Sequence, residues 1–235
     1  MVTITIIIHM SRTTIMIENI ALLRLMTWLS PAFPVGAFSY SHGIEQAIHQ
    51  GVICNKQSLK DWLLDILEEG SGWSDAILFA ESHRCSQIQD DFAVLAELAE
   101  ALAGSRERHM ETMLQGEAFL SAVQAWPNPV LEKLPARVAS PIAVGAVAGA
   151  HGIDLEAGLC AYLHGFISNL IQGAVRLVPL GQRDGVAILA ELEERIQACA
   201  RKATRSSIDQ LGTCAIISDI VAMRHETQYS RVFRS

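Results

Sequence analysis

Hydrophobic positions recur along most of this chain every three or four residues, the spacing of amphipathic helices, and the breaks fall at Gly, Pro and capping residues. The pattern predicts a first helix from Ile17 to Leu29, with Leu22, Leu25, Met26 and Leu29 on one face. Pro31 and Pro34 stop it and hold a loop. A second helix is expected from Ser39 or Ser41 to Gly51. A third opens at Ser58-Leu59-Lys60-Asp61, which has the spacing of a capping box, and closes at Gly70. Ser74 is the expected cap of the next, with Trp73 and Leu78 as a hydrophobic staple. Asp90 or Asp91 opens another, ended by Gly104. Ser105 to Ala125 reads as one long helix, stopped by Trp126-Pro127-Asn128-Pro129. Ser140-Pro141 reads as an N-cap with Pro at the first helical position. Asp154 opens a segment to about Val178. Gly185 to Ala203 points Ile188, Leu189, Leu192 and Ile196 inward, and a last helix covers Ile208 to Arg224.

Inside the domain the sequence offers no convincing strand, no repeat and no long linker. The expected fold is all-α, an irregular bundle of about eight to ten helices in a single domain. That domain spans 19–223, with an extension over 1–18 and a tail over 224–235. In the extension Val2, Ile4, Ile6 and Ile8 alternate with Thr3, Thr5 and Ile7, a strand-like pattern too short to span a bilayer. It lacks a basic start and a small-residue cleavage site, so a signal peptide is not expected. It reads as a disordered lead or as residues preceding a true start at Met10 or Met16. Val138 to Ala150, rich in Ala and Gly, reads as a packing helix that lets backbones approach closely, and a homodimer is expected.

Half of the residues are hydrophobic, enough for a sizeable core. The net charge of -7 argues against nucleic acid and against a membrane surface as partner. Five cysteines with no CxxC pair fit reduced thiols in the cytoplasm better than disulfides or a zinc site.

Catalytic motifs are missing. No GxxxxGK[ST] loop cradles a nucleotide, and no GxSxG elbow presents a nucleophile. His225-Glu226-Thr227-Gln228-Tyr229 starts like HExxH, but Tyr229 stands where the second zinc-binding histidine is needed. His42, Glu45 and His49 fall at i, i+3 and i+7, on one face of a helix. They suit either a polar surface or a metal-binding stripe, so His42 and His49 are the metal candidates, and an all-α metal-dependent hydrolase is the alternative function. His164, among Tyr162, Leu163 and Phe166, reads as a core or interface histidine. Ser39-Tyr40-Ser41-His42 serves equally as an N-cap or as a docking surface. The tail, from Arg224 to Ser235, is dense in Arg and aromatic residues, the types that anchor interfaces. It reads either as a solvated basic end or as a segment that orders on a partner.

Three stretches carry a family resemblance: Ser30-Pro31-Ala32-Phe33-Pro34-Val35-Gly36-Ala37-Phe38-Ser39-Tyr40-Ser41-His42-Gly43-Ile44-Glu45, Leu177-Val178-Pro179-Leu180-Gly181-Gln182-Arg183-Asp184-Gly185, and the tail from His225. Together they resemble the urease accessory protein UreF family, over about Leu22 to Ser235. The resemblance implies an all-α homodimer without enzymatic activity. It implies a complex with the accessory protein UreD (UreH) and the GTPase UreG, acting on apo-urease for GTP-dependent nickel insertion. No tightly bound cofactor is implied, only transient handling of nickel. It marks His225, Glu226, Gln228, Tyr229, Ser230, Arg231, Phe233 and Arg234 as partner-binding, and Pro34, Gly36, Ser39, Tyr40, Ser41, His42 and Glu45 as a docking loop and helix. Gly165-Phe166 departs from the family where a tryptophan is frequent, and Gly212-Thr213-Cys214 where a proline is common.

Overall fold

A computed structural model of the chain describes residues 19–88 and 91–234. The readings of 1–18 and of Asp90 as a helix start lie outside the described residues. Among those described, every regular element is a helix. The most apolar stretch of the sequence forms the centre. Helix α8 (Ser140–Ala150) is buried at every position from Pro141 to Gly149. It lies along α4 (Ser71–Ile88), and the two backbones touch. A Cβ on Gly145 would stand 2.4 Å from the carbonyl oxygen of Phe79, so only glycine fits there. The small residues of α8 are thus used inside the chain, which removes this helix as the face for self-association.

Helices α3 (Lys56–Glu69), α6 (Arg106–Ala122), α9 (Leu155–Ala174) and α10 (Gln182–Ala203) close around this pair. Their apolar stripes supply Leu63, Ile66, Phe119, Leu163, Ile188 and Leu192 to one continuous core. Helix α1, over 19–28, adds Leu25 and Trp28, and Trp28 meets Phe119 and Trp126 edge-on. The buried face of α1 is therefore Leu25 and Trp28, whereas Leu22 and Met26 face outward. Short helices α5 (Ala93–Ala101) and α7 (Val130–Lys133) lie between the longer ones. Helix α2 (Ile44–His49) packs on α9 and on α11 (Ile216–His225).

Several expected caps move. Asn55 caps α3, accepting from the Ser58 N–H at 2.9 Å, while the Ser58 hydroxyl accepts from the Asn55 N–H. Ser58 is therefore the third helical residue, not the cap. Helix α4 begins at Ser71, so Ser74 lies within it. Ser140 is already helical, and Ala139 holds the cap position. Ser105, Asp154 and Gly70 serve as expected. The last predicted helix is broken, into a 3-10 turn at Ile208–Gln210 and α11, because Gly212 adopts φ 148 between them.

Candidate functional site

The Pro-rich loop does not run into a long second helix. It makes one 3-10 turn (Ala37–Ser39), extends at Tyr40, and turns through His42 (φ 56) and Gly43 (φ 78) into α2. Ser39 and Ser41 are therefore not its N-caps. Gly43 is required twice over. Its φ lies in the left-handed region, and a Cβ would come within 3.0 Å of the Ala222 nitrogen on α11. His42 adopts the left-handed conformation without being glycine, at a cost of about 1 kcal/mol or more. Its ring offsets that strain through contacts on three sides. Nε2 lies 2.6 Å from the Ser71 hydroxyl, Nδ1 lies 3.2 Å from Glu111 Oε2, and Phe166 meets the ring edge-on.

The close approach of α2 and α11 places Glu45 beside the tail. Glu45 is buried. Its Oε1 accepts the Val232 N–H at 2.7 Å and its Oε2 the Phe233 N–H at 2.9 Å. Oε2 also lies 3.3 Å from Nε2 of His225, which is wholly enclosed. The other ring nitrogen, Nδ1, lies 2.7 Å from Glu107 Oε2 on α6. The ring thus stands between two carboxylates, one at each nitrogen. The Arg231 guanidinium also pairs with Glu107, and the Arg234 N–H reaches the Ser39 carbonyl at 2.8 Å. Phe233 is buried, with Arg176 stacked above its ring. Burial raises the Tyr40 hydroxyl above its ordinary range, against a hydrogen bond from Arg234.

A second buried network adjoins the first. Arg108 on α6 donates to both oxygens of Asp75 on α4, at 2.7 and 2.6 Å, and the Tyr162 hydroxyl donates to Asp75 at 3.0 Å. Burial opposes the Arg108 charge, but Asp75 and Glu111 more than offset it, so the guanidinium stays firmly charged. Burial likewise works to raise the Glu111 carboxyl. The His42 and Arg108 charges outweigh it and hold that carboxyl below its usual range. Ser71, His42 and Glu111 form a hydroxyl–imidazole–carboxylate row, but it lacks the substrate pocket of a hydrolase. The adjoining cavity, about 70 Å³, is well short of the several hundred Å³ that a substrate pocket needs. The chemistry available is charge compensation: buried carboxylates tie together α2, α4, α6, α11 and the tail.

The sequence-predicted residues therefore meet in space, though not as expected. Ser39, Tyr40, Glu45, His225, Phe233 and Arg234 converge on one latch. Glu226 accepts from the Arg106 N–H at 2.9 Å and so adds to the Ser105 cap of α6, while Gln228 donates to the Ser230 carbonyl. The tail is not a free segment, because Phe233 and the Glu45 bonds seat it on the body. Tyr229 alone projects fully into solvent, and Pro34 is also exposed. The metal stripe does not form. His42 precedes α2 and points to Ser71 and Glu111, Glu45 serves the tail, and His49 is exposed. No group of three or more His, Cys, Asp or Glu among the described residues is placed to hold a metal ion. His164 is exposed rather than a core histidine. Glu107, Arg108, Glu111 and Asp75 were not foreseen, since their partners lie far away in sequence.

Comparison with known proteins agrees with the quoted motifs. A sequence model of the UreF family matches residues 53–193. The chain is 57% identical to the urease accessory protein UreF of Mesorhizobium japonicum over 93% of its own length and 98% of that protein's. It is 55% identical to urease accessory protein UreF 1 of Brucella canis, covering 92% and 94%, and 54% identical to UreF of Rhizobium etli, covering 92% and 96%. With identity at this level along almost the whole of each chain, the protein belongs to the UreF family of urease accessory proteins.

Proposed function

We propose that this chain is a non-enzymatic cytoplasmic scaffold for urease maturation. It binds the accessory protein UreD (UreH), recruits the GTPase UreG, and presents both to apo-urease, with nickel passing as cargo. The observation that carries this reading is the latch. It clamps the tail backbone at Val232 and Phe233 while the side chains of Tyr229 and Val232 stay exposed. A tail held in place loses less entropy on binding than a free one, so the clamp pre-organises an interface. His225, Glu226 and Arg231 act as positioning residues, and Tyr229 acts as the anchor.

The test is co-purification of the tagged chain with UreD and UreG. Tyr229→Ala, with an unchanged melting temperature, is expected to weaken recovery of UreD and, through it, of UreG. Recovery of both at wild-type levels from Tyr229→Ala and from the double variant with Val232→Ala would remove the tail from the interface. Self-association into a homodimer belongs to the same reading. With α8 buried, the apolar surface that supports it is the cleft of α1, α9 and α10, where Leu22 and Met26 are exposed. The hydrolase alternative has no support, because the His42, Glu45 and His49 face that it requires is not assembled.

A further inference from the structure

On the side of α3 that faces α11 lies an open cleft of about 610 Å³. Trp62, Ile216 and Ile217 give it an apolar lining, and Ile216 and Ile217 are 65% and 67% exposed. Large aliphatic side chains left this bare beside one another mark a contact surface more often than chance exposure. One rim is acidic. Asp61, Asp65 and Glu69 recur every four residues along α3, so they share a face with about 6 Å between neighbours. No basic residue lines the cleft. The opposite flank of α3 is neutralised: Lys56 and Lys60 hold Glu191, and Arg195 grips both oxygens of Glu68. Bare aliphatic side chains and a carboxylate rail without cations therefore share one cleft.

We propose that this cleft docks an amphipathic helical segment of a partner protein, one whose apolar face is edged by Lys or Arg at helical spacing. The apolar face covers Ile216 and Ile217, and the cations follow Asp61, Asp65 and Glu69. This is the helix-in-groove mode of recognition, with charge fixing register and direction. A second copy of this chain is a poor occupant, since each copy carries a net charge of -7. The site is separate from the tail and does not depend on which proteins the tail binds.

The probe is a synthetic Leu/Ala/Lys helix with lysines along one edge of a leucine face. Two controls accompany it: the same composition scrambled around the helix, and a glutamate version. Binding to the full chain is read by fluorescence anisotropy and by alkylation of Cys214, which lines the cleft and is exposed. The lysine-edged helix is expected to bind, to weaken as salt rises, and to protect Cys214. The double variant Asp61→Lys with Asp65→Lys, checked for helical circular dichroism, should lower affinity about tenfold or more. Ile217→Asp should do the same. Equal binding of the scrambled or glutamate helix, no effect of charge reversal, or no protection of Cys214 would overturn the proposal. So would conversion of an oligomer to monomer by Ile217→Asp, which would make the cleft a self-contact.

Discussion

Removing the Glu45 carboxylate should open the tail latch while leaving the body folded. Glu45→Ala deletes the acceptors of two backbone N–H groups and one of the two carboxylates facing the enclosed His225 ring. Hydrogen bonds to a charged group contribute about 1.5 to 3 kcal/mol each, and buried donors left without partners cost about as much again. The chain has a cheaper escape than bearing that whole cost. It can release Val232 to Arg234 into water and lose the burial of Phe233, about 2 kcal/mol, and the Arg234–Ser39 backbone hydrogen bond, about 1 kcal/mol. The net shift in the latch equilibrium is therefore about 3 kcal/mol, or about a hundredfold at 1.4 kcal/mol per decade. Amide hydrogen exchange reads this directly. Protection at Val232 and Phe233 should fall about a hundredfold, while α4 and α8 exchange as before. Glu45→Gln keeps one acceptor oxygen without the charge and should fall in between. Unchanged protection at both amides in Glu45→Ala would show that the carboxylate does not hold the tail.

Three further outcomes are expected. Gly43→Ala should lower stability by about 1 to 3 kcal/mol in denaturant, from the positive φ and the contact with α11; a loss under about 0.5 kcal/mol would contradict the close approach. The folded-state pKa of Glu111 is depressed, so its contribution is present above the unfolded carboxyl value, about 4.3, and fades as pH falls below it. Glu111→Gln should therefore trail the parent chain clearly at pH 7 and much less in strong acid; a gap that is the same at both would refute this. Burial pushes the Cys199 thiol up to about 12, so iodoacetamide at mildly alkaline pH should modify Cys54 and Cys214 well before Cys199 in the native protein, as peptide mass mapping can show.

The helical fold was legible because each apolar stripe is written within one stretch of chain. Ile188, Leu192 and Ile196 declare their face without help from other elements. Cap positions were less so. Ser58 and Asn55 both fit the start of α3, and only the backbone decides which one accepts the hydrogen bond. The loop and the tail were singled out by their residues, but their meeting could not be read, since Glu45 and Phe233 stand at opposite ends of the sequence. Glu107 and Glu111 were the hardest to see. On a helix such as α6 a charged residue usually faces water. Theirs face inward because His225, Arg231, His42 and Arg108 await them.

Two of those partners arrive late. Glu45 and Glu107 are synthesised well before His225 and Arg231, which stand 180 and 124 residues further along, respectively. Until the tail has been made, both carboxylates lack these partners, and the first turn of α6 lacks the Glu226 contact to the Arg106 N–H. A chain without the tail would therefore expose its defect at the junction of α2 and α6. Order of synthesis and closure of the latch are thereby coupled: the body can assemble first, but these buried carboxylates are satisfied only when the tail returns to them.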